Sequence, residues 1–169
     1  MTPLILLASS RRRGNTGALV DAIAGELGAD IVDLAALNIS AYDYDHGNRD
    51  DDFEPLMGRV LASNPLILAS PIYWYSCASP MKMFLDRICD YLDIPELLES
   101  GRRLRGKHAY VACTSARDQP SEHFVGTFVD TCAYLGMDFR GLVHINCSNG
   151  YQAAEHGSIV RQFVDGMQP

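Results

Sequence analysis

The segment from Ala8 to Thr16, with the sequence ASSRRRGNT, combines residue types that bind phosphate groups in proteins. It follows the apolar run Pro3–Leu7 and precedes an amphipathic segment that begins near Asn15. A loop that leads from a buried strand into a helix presents unpaired backbone N–H groups and the positive end of the helix dipole to an anion. Serine, asparagine and threonine add short side-chain donors, and Gly14 lets the backbone approach a ligand closely. The sequence therefore predicts a phosphate site in this loop.

The glycine spacing of the loop excludes two common nucleotide-binding motifs. It has neither the G-x-x-x-x-G-K-[ST] pattern of nucleoside triphosphate loops nor the G-x-G-x-x-G pattern of dinucleotide sites. We therefore expect a phosphorylated ligand of another kind. The alternative interpretation is an ordinary strand–helix connection that is capped by an asparagine or a threonine.

Short apolar runs alternate with helical segments along the whole chain, and this pattern is typical of a doubly wound α/β fold. We expect one domain over residues 1–169, with a five-stranded parallel sheet in the order 2-1-3-4-5 and helices on both faces. The predicted strands are Leu4–Ala8, Asp30–Leu34, Leu66–Ala69, Ala109–Cys113 and Phe139–Ile145.

Stripes of apolar residues with 3.6-residue periodicity predict the helices between these strands. Glycines end two of them, because glycine adopts the left-handed conformation that closes a helix. Ser79 is predicted as the N-cap of a third helix, with Pro80 at its first position. The predicted helical segments are Leu19–Leu27 before Gly28, Phe53–Ala62, Met81–Leu92, Phe124–Leu135 before Gly136, and Ile159–Met167.

The connection after the third predicted strand, Ser70–Pro80, carries the second unusual motif, SPIYWYSCASP. In a sheet of this order, ligands bind outside the carboxyl ends of the first and third strands, and so both motifs fall at one place. Tyr73, Trp74 and Tyr75 cannot all pack into one core, whereas they suit the face or edge of a planar ligand. The alternative for all three is that they pack in a core or in a subunit interface, and for Tyr75 this alternative is an equal one. A phosphate and a flat ring together predict a mononucleotide cofactor.

Together, the two motifs resemble those of the NADPH-dependent FMN reductase-like family. The family loop S-P-R-x-x-G-N-T corresponds to Ser9–Thr16, with Ser10 in place of the proline. The pattern P-x-Y-W-Y…S-x-x-M-K-x-x-[IL]-D-R is matched from Pro71 to Arg87, and the order of strands and helices agrees over essentially the whole chain. One branch of the family carries an iron–sulfur cluster, but Asp43–Asp52 lacks the corresponding cysteines and no cluster is expected.

The resemblance implies a flavodoxin-like three-layer sandwich that binds FMN noncovalently and uses NAD(P)H as co-substrate. It implies hydride transfer to FMN and electron transfer to a flavin, quinone or similar small acceptor, without a catalytic side chain. A homodimer or dimer of dimers is also implied, and a flavodoxin-like electron carrier without its own NAD(P)H site is the alternative. The implied cofactor-binding residues are Ser9, Arg11 (or Arg12 in its place), Gly14, Asn15 and Thr16 at the phosphate, Pro71, Ile72, Tyr73 and Trp74 along the ring, and Thr114 and Ser115 near its pyrimidine edge.

Composition and charge exclude several other classes of protein. The net charge of −7 argues against binding to a nucleic-acid backbone. We expect no membrane association and a cytoplasmic location, because the sequence has neither a signal peptide nor a run of transmembrane length. The five cysteines are widely spaced and odd in number, which disfavours disulfides and a sequence-local metal site. We expect no metal, because Asp43–Asp52 is interpreted as a solvated loop and the five histidines lack ligand spacing. Lys82 and Asp86, four residues apart on one predicted helix, are expected to form a surface ion pair.

Overall fold

A parallel β-sheet forms the centre of the computed structural model, which describes residues 1–167. The strands are β1 (Leu4–Leu7), β2 (Asp30–Asp33), β3 (Leu66–Tyr73), β4 (Ser76–Cys77), β5 (His108–Ser115) and β6 (Asp138–Asn146). They lie side by side in the order β2-β1-β3-β5-β6, and β4 pairs with β3 alone in antiparallel orientation. The predicted order of the five parallel strands is confirmed, whereas β4 was not predicted.

Helices cover both faces of the sheet and give the predicted three-layer sandwich. The α-helices are α1 (Asn15–Leu27), α2 (Phe53–Ala62), α3 (Ser79–Arg87), α4 (Asp90–Asp93), α5 (Leu98–Arg102), α6 (Glu122–Leu135) and α7 (Ala153–Asp165), and Leu34–Ala36 forms a 3₁₀ turn. One apolar core lies under α2, α3 and α6, and a second lies under α1 and α7. No helix within residues 1–167 is long and apolar enough to cross a bilayer.

Two of the predicted helix ends have the expected backbone conformation. Gly28 follows α1 with φ of 67°, and Gly136 follows α6 with φ of 70°. Both values lie in the left-handed region, which side chains with a Cβ atom seldom adopt. The glycines therefore end these helices as the sequence indicates.

The start of α3 differs from the prediction by one residue. Ser79 is already the first helical residue, Pro80 is the second, and Ala78 takes the cap position without a side-chain hydrogen bond. The prediction of a serine N-cap was therefore wrong. Farther along the exposed face of α3, Lys82 Nζ lies 2.5 Å from Asp86 Oδ1, which confirms the predicted surface ion pair.

The apolar stripe that was predicted as one helix to Leu92 is interrupted after Arg87. The N–H groups of Ile88, Cys89 and Tyr91 donate to the carbonyl three residues back instead of four. This tighter winding ends α3 and separates it from α4.

The aspartate-rich segment 38–52 is anchored in the protein by a buried ion cluster. Arg87 is fully buried, with Nη1 2.5 Å from Asp51 Oδ2 and Nε 2.8 Å from Asp90 Oδ2. Its guanidinium also lies 4.6 Å from the centre of the Phe53 ring. Burial would raise the pKa of Asp51, but hydrogen bonds from Arg87 and from backbone N–H groups lower it below its ordinary value. The interpretation of this segment as a solvated loop was therefore wrong for Asp51.

Candidate functional site

A cleft of about 320 Å³ opens at the carboxyl ends of β1, β3 and β5, where the strand order reverses. Ten of the eleven cofactor-binding residues that the sequence predicts line this cleft, and only Trp74 does not. The structure therefore brings together residues that are about 100 positions apart in the chain. The ten residues are Ser9, Arg11, Gly14, Asn15, Thr16, Pro71, Ile72, Tyr73, Thr114 and Ser115.

The first turn of α1 points its free backbone donors toward this cleft. Gly14 caps the helix without a side-chain hydrogen bond, and so the first N–H groups of α1 have no capping oxygen. These N–H groups and the positive end of the helix dipole can bind an anion that enters the cleft.

Gly17 lets the loop fold tightly against the first turn of α1. A Cβ atom on Gly17 would lie only 1.8 Å from the carbonyl oxygen of Arg12, far inside van der Waals contact. Only glycine fits there while the loop keeps its path. Gly17 was not among the predicted site residues, because the spacing of glycines alone does not show what a glycine packs against.

The three consecutive arginines of the loop have three different environments. Arg12 donates to the carboxylate of Asp21 at 3.2 and 2.5 Å, and this hydrogen bond raises the pKa of Arg12. Arg13 is exposed and does not line the cleft. Arg11 lines the cleft, and Ser9 holds its backbone by accepting the Arg11 N–H at 3.3 Å and donating to its carbonyl at 3.1 Å. Of the three guanidinium groups, that of Arg11 is therefore available to a ligand.

Two contacts fix the side chains of Asn15 and Thr16 against other parts of the chain. The hydroxyls of Thr16 and Thr114 lie 2.6 Å apart and are buried, which joins α1 to the end of β5. Asn15 Oδ1 accepts the N–H of Tyr151 at 3.1 Å. The oxygen of Asn15 is thereby occupied, and its amide nitrogen remains free to donate into the cleft.

The segment Ser70–Pro80, predicted as a loop, forms a β-hairpin for most of its length. β3 continues to Tyr73, and the chain turns through Trp74 and Tyr75 with φ of 48° and 66° before β4 pairs back. Positive φ values are unusual for bulky residues, because the Cβ atom then crowds the backbone. The turn places Trp74 at the hairpin tip, where it is 94% exposed.

A second cleft of about 300 Å³ adjoins the first, between the hairpin tip and the loop that follows β5. Trp74 and Tyr75 line it on one side. Arg117 also lines it: its Nη2 donates to the Tyr75 hydroxyl at 3.2 Å, and its guanidinium lies 5.4 Å from the centre of that ring. Ile72, Ser115 and Ala116 line both clefts, so that two ligands could lie in contact with each other.

The predicted cofactor-binding residues did not include Arg117, which lines the second cleft, or Cys147, which lines the first. Cys147 directly follows β6, at the same sheet edge as the two motifs. The rule that ligands bind at the carboxyl edge could have identified it. Burial raises the pKa of the Cys147 thiol. Cys147 therefore lines the cleft as a neutral thiol.

Comparison with solved structures shows that the fold is flavodoxin-like. The structure of Trp repressor binding protein from Bacillus subtilis has a TM-score of 0.72 at 22% identity, over 94% of this chain and 97% of that chain. An FMN-dependent NADH-azoreductase from Bacillus anthracis, in complex with FMN, has a TM-score of 0.69 at 12% identity, over 97% and 95% of the two chains. At these identities the likeness establishes the fold and nothing more. Together with the site, it defines the chain as a flavodoxin-like protein with a nucleotide-sized cleft.

Residues 1–150 match the family described as NADPH-dependent FMN reductase, and the chain belongs to this family. The resemblance of the two loop motifs is thereby confirmed. A Bacillus subtilis protein named among the NAD(P)H-dependent FMN-containing oxidoreductases is 30% identical over 96 residues. An iron–sulfur flavoprotein of Archaeoglobus fulgidus is 29% identical over 104 residues. The chain spans about half the length of these relatives, 52% and 47% respectively.

Proposed function

We propose that this protein binds FMN noncovalently and is an NAD(P)H-dependent oxidoreductase that acts on a flavin, quinone or similar small acceptor. Bound FMN would accept a hydride from NAD(P)H and pass the electrons to the acceptor. The observation that carries this proposal is the pair of adjoining clefts that share Ile72, Ser115 and Ala116. Membership of the FMN reductase family supports it independently.

We assign the phosphate end of FMN to the loop between β1 and α1. The guanidinium of Arg11 and the amide of Asn15 supply side-chain donors, and the first turn of α1 supplies backbone N–H groups. Thr16 is held by its contact with Thr114, so that its hydroxyl has a fixed position at the floor of the cleft. Ser9 shapes the turn through its two hydrogen bonds with Arg11. These assignments follow from the donor types, because a phosphate dianion requires several donors and no acceptor.

We assign the ring of FMN to the side of the cleft formed by β3 and β5. Pro71, Ile72 and Tyr73 line this side at the end of β3, and Thr114 and Ser115 line it at the end of β5. Apolar side chains there exclude water from one face of a planar ligand, and the hydroxyls meet its polar edge. No side chain needs to act as a general acid or base, since the cofactor carries the chemistry.

The second cleft favours a reductase over an electron carrier. A carrier needs only an exposed edge of its cofactor, whereas a reductase must hold a second planar ligand against the ring. Trp74, Tyr75 and Arg117 surround about 300 Å³ beside the proposed ring site, which is room for such a ligand. We propose that the nicotinamide and the acceptor use this cleft in turn.

The test is to add FMN to the purified protein and follow the oxidation of NADPH and NADH with and without a quinone. The proposal predicts flavin binding and oxidation of at least one nicotinamide cofactor that the quinone accelerates. Bound flavin that neither cofactor reduces would refute the reductase and favour the carrier. Absence of flavin binding would refute both.

We further propose one FMN-binding domain over residues 1–169, a homodimer or dimer of dimers, and a cytoplasmic location. The five cysteines are all free thiols, which suits a reducing compartment. An apolar groove of about 370 Å³ between α6 and the stretch from the end of α3 to α4 supports self-association, since Tyr134, which lines it, is 80% exposed. Sedimentation of the purified protein tests the assembly, and a monomer at all concentrations would contradict it.

A further inference from the structure

Ser115 and His144 are hydrogen-bonded to each other behind the wall that the two clefts share. Ser115 Oγ lies 2.8 Å from His144 Nε2, and the Ser115 side chain lines both clefts. His144 belongs to β6, the edge strand next to β5, and it lines neither cleft. It can therefore act on a ligand through Ser115 without touching it.

The hydroxyl of Ser115 has one hydrogen-bonding position left for a ligand, and His144 determines whether that position is a donor or an acceptor. The N–H of Arg117 donates to the same Oγ at 3.1 Å. A hydroxyl has one proton and two lone pairs, and Arg117 occupies one lone pair. If His144 Nε2 carries no proton, the Ser115 hydroxyl donates to it and keeps one lone pair for the cleft. If Nε2 is protonated, it donates to Ser115, whose own proton then faces the cleft.

The surroundings of His144 keep it mainly neutral near pH 7. Burial lowers its pKa below the ordinary value, and the carboxylate of Asp118, on the loop after β5, opposes this in part. Its neighbour on β5, Cys113, is neutral as well, because burial raises the pKa of that thiol to about 12. Within residues 1–167, no charged side chain of α6 or α7, which also pack on β6, shifts the pKa of His144. Protonation of His144 therefore requires a pH below the ordinary histidine pKa.

We propose that His144 is a positioning residue that determines whether Ser115 offers an acceptor or a donor to the edge of the flavin ring. This inference rests on the proposed function, because the ligand on which it acts is FMN. The pyrimidine edge of a flavin carries two carbonyl oxygens and a single N–H group. A donor at Ser115 therefore matches more of this edge than an acceptor does. This requires neutral His144 to carry its proton on Nδ1, so that Nε2 accepts the Ser115 proton, and we include that tautomer in the proposal. FMN binding is then expected to tighten as His144 becomes protonated on Nε2.

The experiment measures the Kd of FMN by quenching of flavin fluorescence from about pH 8 to a pH below the His144 titration midpoint that NMR gives. Wild type is compared with His144→Gln, which keeps a hydrogen-bonding amide that does not titrate, and with Ser115→Ala. The phosphate of FMN titrates near pH 6, but this effect is common to all three proteins and cancels in the ratio of their Kd values. On acidification, the FMN affinity of wild type is expected to rise relative to that of each variant by about three- to tenfold, which corresponds to one hydrogen bond.

Three parallel pH curves would overturn the inference. A pH-dependent change in Kd that persists in Ser115→Ala but is lost in His144→Gln would also overturn it, because the charge of His144 would then act on FMN without Ser115. An NMR titration of the flavin-free wild type and of Ser115→Ala gives a second readout. The titration midpoint of the His144 ring is expected to differ between wild type and Ser115→Ala. The same midpoint in both proteins would contradict the hydrogen bond itself. Failure of wild type to bind FMN at any pH would instead refute the proposed function, and the NMR result would still stand on its own.

Discussion

Replacement of Gly17 by alanine is expected to disable the phosphate loop, and the structure allows the size of the effect to be worked out. The new Cβ atom would lie 1.8 Å from the carbonyl oxygen of Arg12. Real Cβ contacts almost never fall below 3.0 Å, and so the loop must move by more than about 1 Å. Overpacking of this kind costs about 1–3 kcal/mol of stability. The movement also separates Arg11 from the first turn of α1, the two groups that we assign to the phosphate.

The expected loss of FMN affinity follows from the same displacement. Loss of one charge-assisted hydrogen bond costs about 1.5–3 kcal/mol, and so the Kd of Gly17→Ala should rise at least about tenfold. Gly25→Ala on the same helix is the matched control, because a Cβ atom there meets nothing within 4 Å. This control should gain about 0.5–1 kcal/mol of stability from its higher helix propensity and bind FMN as wild type does.

Isothermal titration with FMN and thermal unfolding of both variants measure these effects. The Tm of Gly17→Ala should fall and that of Gly25→Ala should rise relative to wild type. If Gly17→Ala bound FMN with wild-type affinity and unfolded no earlier than wild type, the account of the loop would be refuted.

Further predictions concern the arginines, the hairpin tip and the buried ion cluster. Arg11→Ala should weaken FMN binding by about 1.5–3 kcal/mol in titration calorimetry, whereas Arg13→Ala should leave it within about twofold; equal effects would contradict the assignment. The fluorescence of Trp74, the one tryptophan, should be quenched when FMN binds. Unchanged emission would show that Trp74 does not lie near the flavin ring. Arg87→Met should lower the free energy of unfolding in urea by about 3–5 kcal/mol, since buried carboxylates lose their partner; a loss below about 1 kcal/mol would show that they are not buried charges. Because the pKa of Asp51 is lowered in the folded protein, ionised Asp51 stabilises the fold above the unfolded-state pKa near 3.9. This stability is lost as the pH falls through the folded-state pKa. Acid unfolding of wild type should show the loss, and Arg87→Met should lack most of it.

The sheet and the location of the site could be predicted because both depend on local patterns. Each parallel strand is a short apolar run, and the helices repeat every 3.6 residues, so that neighbours in sequence define them. The strand order then places Ser9 and Pro71 at one edge of the sheet without any knowledge of contacts. For this reason ten predicted residues fall in a single cleft.

The features that the sequence did not predict depend on contacts between distant residues. Asp51 and Arg87 are 36 positions apart, and no local pattern pairs them or indicates that both are buried. The turn at Trp74 and Tyr75 uses positive φ values that these residue types rarely adopt, and so β4 was missed. Arg12 was distinguishable from Arg11 only by its bonds with Asp21. Long-range packing determines each of these features, and a single sequence does not display it.

The central claim is that the loop between β1 and α1 holds the phosphate of a flavin mononucleotide. The most direct test compares the binding of FMN with that of riboflavin, which has the same ring but no phosphate, by calorimetry at one pH. The account predicts saturable FMN binding at one site per chain and binding of riboflavin that is weaker by at least about a hundredfold, since two or more charge-assisted hydrogen bonds are lost. Equal affinities for the two flavins would contradict the claim.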